Sequence, residues 1–89
     1  EVPRPRVPIA SSEQDPAARR RLAADLREAE RQVTAAEERL RDVESALSNP
    51  DLHHTDLATL GREHAALVAE VEALTTRWAE LAEAAESVA

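Results

Sequence analysis

In the first half of the chain the apolar side chains fall at Leu22, Leu26, Ala29, Val33, Ala36, Leu40, Val43 and Leu47, in steps that alternate between four and three. That is a heptad seam, the spacing that holds one helix face against a neighbour. A second seam runs through Leu57, Leu60, His64, Leu67, Val71, Leu74, Trp78, Leu81, Ala85 and Val88. Asp15-Pro16 starts the first helix: an Asp side chain accepts from exposed amides, and Pro fits the first turn, where its missing N–H costs nothing. Ser48-Asn49-Pro50-Asp51 stops it, because Asn tolerates a left-handed closing turn and Pro50 cannot continue the ladder. Thr55 or Asp56 is the expected cap of the second helix. The pattern therefore predicts a helix over about 16–48, a loop over 49–55 and a helix over about 56–88, all within a unit of residues 16–89. Two helices of similar length, each roughly 50 Å long at about 1.5 Å per residue, joined by a short loop, make an all-α, two-helix antiparallel coiled-coil hairpin.

Residues 1–15 have a different pattern, with Pro3, Pro5 and Pro8 alternating with Val2, Arg4, Arg6 and Val7 before Ser11 and Ser12. Prolines so spaced favour extended chain and cannot donate ladder hydrogen bonds, so this segment reads as a flexible, extended, Pro-rich linker.

Periodicity leaves two registers for the hairpin. In one, Trp78 packs against Ala29, Leu22 meets Ala85 and Ala36 meets Val71, pairing large with small. In the other, one heptad over, Trp78 lies on Leu22, with Asp25 near Arg77 and Arg39 near Glu63. Core volume outweighs exposed ion pairs worth about 0 to 1 kcal/mol, so the first register is expected. A seam this thin is marginal, and help is expected from helix propensity, self-association or docking on a larger domain.

Composition narrows the chemistry. The chain has 89 residues, one Gly, no Lys, Met, Cys, Phe or Tyr, and Trp78 as its only aromatic residue. A phosphate loop needs glycines and a lysine, so no nucleotide site is expected, and no serine is placed near a histidine as a nucleophile would require. The expectation is a non-enzymatic segment without cofactor or small-molecule substrate. Starting at Glu1 and lacking Met, it reads as a piece of a longer protein. The absence of cysteine fits a reducing, cytoplasmic setting, and no apolar run reaches the length of a membrane span.

Candidate sites are few. His53, His54 and His64 invite a metal reading with Asp51 or Asp56, but no tetrahedral set follows from their spacing, and they read as loop polarity plus one polar seam residue that sets register or points to solvent. Trp78 could stack on a base, although its seam position favours packing. The net charge of −7 argues against a surface wholly devoted to nucleic acid, yet residues 1–31 hold seven Arg against six acids. Arg19, Arg20, Arg21, Arg27 and Arg31, with Arg4 and Arg6, form the cationic cluster. Three arginines in the first turns oppose the helix dipole, so helix stability does not demand them. They are the candidate nucleic-acid contacts, or else a solvated face neutralised by Glu80, Glu83 and Glu86. Glu30, Glu37 and Glu44 recur every seven residues as an acidic stripe, with Gly61, Val68, Thr75 and Ala82 expected across from it. Gly61 costs about 1 kcal/mol in a helix interior and leaves room for another backbone.

Ser48-Asn49-Pro50-Asp51-Leu52, followed by a leucine-rich heptad helix ending Thr76-Arg77-Trp78-Ala79-Glu80-Leu81-Ala82-Glu83, resembles the C-terminal coiled-coil domain of ABC-F ATPases, the Uup-like soluble tandem-cassette proteins. The likeness covers residues 17–86 and implies an appendage of a translation factor or antibiotic-resistance ribosomal protection ATPase. It also implies DNA, or rRNA on the ribosome, as a partner. The Ala- and Arg-rich, Lys-free composition fits a high-GC bacterial source. The chain departs from the family in lacking a Lys-rich, Tyr-containing start to its first helix. The alternative is a dimerisation or docking hairpin of a multidomain bacterial protein. It would pair with a second hairpin or with the parent ATPase domains through an Ala-rich outer face at Ala58, Ala65, Ala69 and Ala73.

Overall fold

The computed structural model describes residues 15–87, which form two helices packed on each other: α1 over Pro16–Leu47 and α2 over His54–Ser87. This is the expected all-α hairpin, and no strand occurs among the described residues. The Pro/Arg segment through Ser12, and Val88 at the end of the second seam, lie outside the described residues.

Local chemistry fixes the helix ends. Asp15 holds an extended backbone (φ −67°, ψ 122°), and its Oδ1 accepts from the Ala17 amide at 3.0 Å. Its carbonyl accepts the first helical bond, from the Arg19 amide, also at 3.0 Å. α1 closes differently from expectation. Ser48 stays right-handed (φ −80°, ψ −6°), its amide donates to the Ser45 carbonyl at 3.1 Å, and its hydroxyl donates to the Glu44 carbonyl at 3.0 Å. No non-glycine residue takes positive φ among the described residues, so Asn49 does not supply a left-handed turn. Its side chain instead accepts from the Asp51 amide at 3.0 Å, an Asx turn that carries the chain past Pro50.

The start of α2 also moves. The carbonyl of His53 accepts from the Leu57 amide at 2.8 Å, and its imidazole Nδ1 accepts from the Thr55 amide at 3.3 Å. His53 therefore caps the helix in place of Thr55 or Asp56. Asp56 lies in the first turn, where its charge suits the dipole.

The buried residues are small on α1 and large on α2: Ala29, Ala36 and Val43 face a partner helix whose buried residue is Leu67. The other seam residues are half-buried, as two helices alone can cover only one side of each side chain. Leu57 is an exception, 48 % exposed despite its seam position. Its antiparallel partner would fall beyond Leu47, where α1 has ended. Cross-helix bonds identify the register. Trp78 reaches Glu30, next to Ala29, and Arg39 reaches Glu70 at 2.6 Å instead of Glu63. Leu22 and Ala85 line one groove. The register that pairs large with small is the one adopted.

Candidate nucleic-acid interface

Successive residues on a helix turn by about 100°, so Arg19, Arg20 and Arg21 point to three sides of α1. Arg20, Arg27 and Arg31, seven and then four residues apart, return to one face, directed away from the seam. All five candidate arginines are exposed. Arg21 belongs to the flank that also carries Glu28 and Arg39, whereas Arg19 lies at the open end of the hairpin beside Leu22, Leu26 and Ala85. The five are a cluster in sequence, and three of them share a surface.

Arg31 is held by its neighbour Glu28, its Nη2 at 2.5 Å and its Nε at 3.1 Å from Oε1. The hydrogen bond from Arg31, together with its charge, holds the Glu28 carboxyl below its ordinary value. Among the described residues Arg20, Arg21 and Arg27 make no ion pair, and none joins these three or Arg31 to Glu80, Glu83 or Glu86. Those glutamates instead border a groove on α2 with Thr76, Ala79 and Ala82.

The acidic stripe has a role that spacing alone did not reveal. Glu30 Oε2 accepts from the Trp78 indole Nε1–H at 3.2 Å, and Glu44 Oε2 lies 3.1 Å from His64 Nε2. Glu30 and Glu44 are two heptads apart on α1, as are Trp78 and His64 on α2. The two seam residues of α2 that carry a ring nitrogen are thus each met by a glutamate from the same stripe. Trp78 is half-buried, its polar edge tied to a carboxylate, in a groove with Val33, Thr34, Glu37 and Thr75. A base stacked there would bring its phosphates towards two glutamates, so Trp78 serves packing and register. The signal available in the sequence was the matched two-heptad spacing of Trp78/His64 and Glu30/Glu44.

The rings of His53 and His54 stack with centroids 4.5 Å apart, and the cap bonds occupy His53. No group of three or more His, Cys, Asp or Glu able to hold a metal occurs among the described residues. No helix among them is long and apolar enough to cross a membrane.

Compared with curated proteins and with solved structures, the chain shows no match. The sequence model of the ABC transporter C-terminal domain family, in contrast, matches residues 17–83, which take in the first helical turns of α1, the whole loop and α2 through Glu83. The match spans both helices of the hairpin except the first residue of α1 and the last turn of α2 and includes the Arg77-Trp78 segment, and the chain belongs to the ABC transporter C-terminal domain family.

Proposed function

We propose that this domain is a non-catalytic appendage of an ABC-F ATPase of the translation-factor or ribosomal protection type, and that it contacts nucleic-acid phosphates, of DNA or of rRNA, in the cytoplasm. Family membership makes it a C-terminal domain of an ABC protein. The observation that carries the contact is the arginine face of α1. Arg20 and Arg27 are exposed and make no ion pair among the described residues, and Arg31 lies beside them. Guanidinium groups on one exposed face bind phosphates without reading bases. Arg19, at the open end of the seam, and Arg21, on the other flank, reach phosphates only where a strand wraps the helix end.

The test is a salt titration of binding to duplex DNA and to rRNA fragments. With three phosphates neutralised, the slope of log K against log salt on a duplex is about −2.7, at about −0.9 per phosphate. Substituting Arg20, Arg27 and Arg31 by Ala should flatten it towards zero. Absence of binding at low salt, or an unchanged slope in that variant, overturns the contact.

A further inference from the structure

One flank of α1 carries a second heptad series, made of polar and small residues: Arg20, Ala23, Arg27, Glu30, Thr34 and Glu37. It follows the same alternation of three and four as the seam but is rotated from it by about 100°, a little over a quarter of a turn. Ala23 is half-buried and the other five are exposed. Charge along this series is ordered, with arginines in the first half and glutamates in the second. Read from the midpoint between Glu28 and Ala29, the series is complementary to its own reverse. Arg20 mirrors Glu37, Arg27 mirrors Glu30, and small Ala23 mirrors small Thr34.

We infer that this face binds a second copy of the chain, with α1 running antiparallel to α1 of its partner about a two-fold axis between Glu28 and Ala29. A two-fold interface uses the same patch on both copies, so each facing pair occurs twice. Arg20 meets Glu37 of the other copy, Arg27 meets its Glu30, and Ala23 against Thr34 lets the helices close. The facing charges span about 26 Å of helix at about 1.5 Å per residue, which fixes one register against slippage. Glu30 retains its bond to Trp78 through Oε2 and presents Oε1 to the incoming guanidinium. The partner helix lies along a shallow groove of about 520 Å³ that Arg27, Glu30 and Thr34 of this series border on one side and Arg31, Ala35 and Glu38 on the other. Exposed ion pairs contribute little singly, so the association is weak and salt-sensitive. It engages Arg20 and Arg27, and phosphates and the second copy therefore compete for them.

The experiment is sedimentation equilibrium of the full chain at low and at high salt, with the single variants Arg20→Glu and Glu37→Arg. Both positions are exposed, and far-UV circular dichroism verifies that the helices remain. Each variant alone places like charges opposite each other twice and should lose about tenfold or more in self-association, two facing pairs being reversed. An equimolar mixture restores both attractions, since the acid introduced at position 20 of one variant faces the base introduced at position 37 of the other, and should associate like the native chain. The native chain has no cysteine, so Ala23→Cys mixed with Thr34→Cys should form a disulfide-linked heterodimer faster than either variant links to itself. A native chain that stays monomeric at low salt overturns the inference, as does a mixture that fails to recover association. Failure of phosphate binding leaves these readouts untouched, because none of them contains nucleic acid.

Discussion

The two walls of the seam differ in kind. At its buried positions α1 offers Ala29, Ala36 and Val43, with Leu22, Leu26, Val33, Leu40 and Leu47 half-buried beside them, whereas α2 offers mostly leucines with Val71, His64 and Trp78, of which only Leu67 is buried. Small residues on one helix let the backbones approach, and the larger side chains of the other then wrap around the near helix instead of meeting head-on. The α1 wall is thus sensitive to added volume and the α2 wall to lost volume. Two substitutions probe that contrast most strongly. Leu67→Ala should cost about 2–4 kcal/mol, because no other large side chain of α2 is as fully covered. Ala36→Leu, at a position with 0 % exposure, should cost about 1–3 kcal/mol by forcing the helices apart. Urea denaturation followed by circular dichroism measures both. A neutral Ala36→Leu would mean that the close approach contributes nothing.

The seam was legible in the sequence because heptad spacing and volume pairing are local and additive properties. The register followed from Trp78 needing a small partner, and it is the register adopted. What spacing could not show was where polar ends go. The cap moved from Thr55 or Asp56 to His53 because an imidazole nitrogen reaches the first free amide as a carboxylate would, and preferences by residue type do not favour it. The arginine run looked like one patch and divides among three sides, since adjacent residues on a helix cannot share a face. The acidic stripe faces Trp78 and His64 as well as the small residues expected across from it, because a seam side chain can pack its ring and still turn a polar edge outwards.

A smaller effect separates packing from polar bonding within the α2 wall. Glu30→Ala removes the acceptor for the Trp78 indole and should cost about 0.5–1.5 kcal/mol, while Glu30→Gln keeps an acceptor oxygen and costs less. Trp78 is the only fluorophore of its kind in the chain, so its emission reports the change directly. It should shift to longer wavelength in Glu30→Ala and stay near native in Glu30→Gln. Equal shifts in both would mean that the carboxylate charge, and not the hydrogen bond, orients the ring.

Gly61 sharpens the contrast from outside the seam. A Cβ built there meets nothing within 4 Å, so no packing within the hairpin requires glycine. Gly61→Ala should therefore stabilise α2 by about 0.5–1 kcal/mol through reduced backbone entropy. A loss of stability in the isolated chain would contradict the open space.

The smallest expected effect lies on the flank of α1. Glu28 is held below its ordinary value first by the hydrogen bond from Arg31 and then by that residue's charge. A carboxyl depressed in the folded chain stabilises it while ionised, so this contribution is complete above the value of the unfolded chain. It disappears as pH falls through the lower folded value, when the protonated group no longer draws Arg31. Both side chains are well exposed, at 65 % for Arg31 and 54 % for Glu28, so solvent and salt screen the pair strongly. Glu28→Gln should leave stability at acid pH unchanged and lower it slightly at neutral pH, and the difference should shrink as salt is raised. Parallel acid titrations of the native chain and of this variant, followed by helical circular dichroism, measure it. Superimposable curves at low salt would show that the pair contributes to local geometry alone, leaving the stability of the hairpin to the unequal walls of its seam.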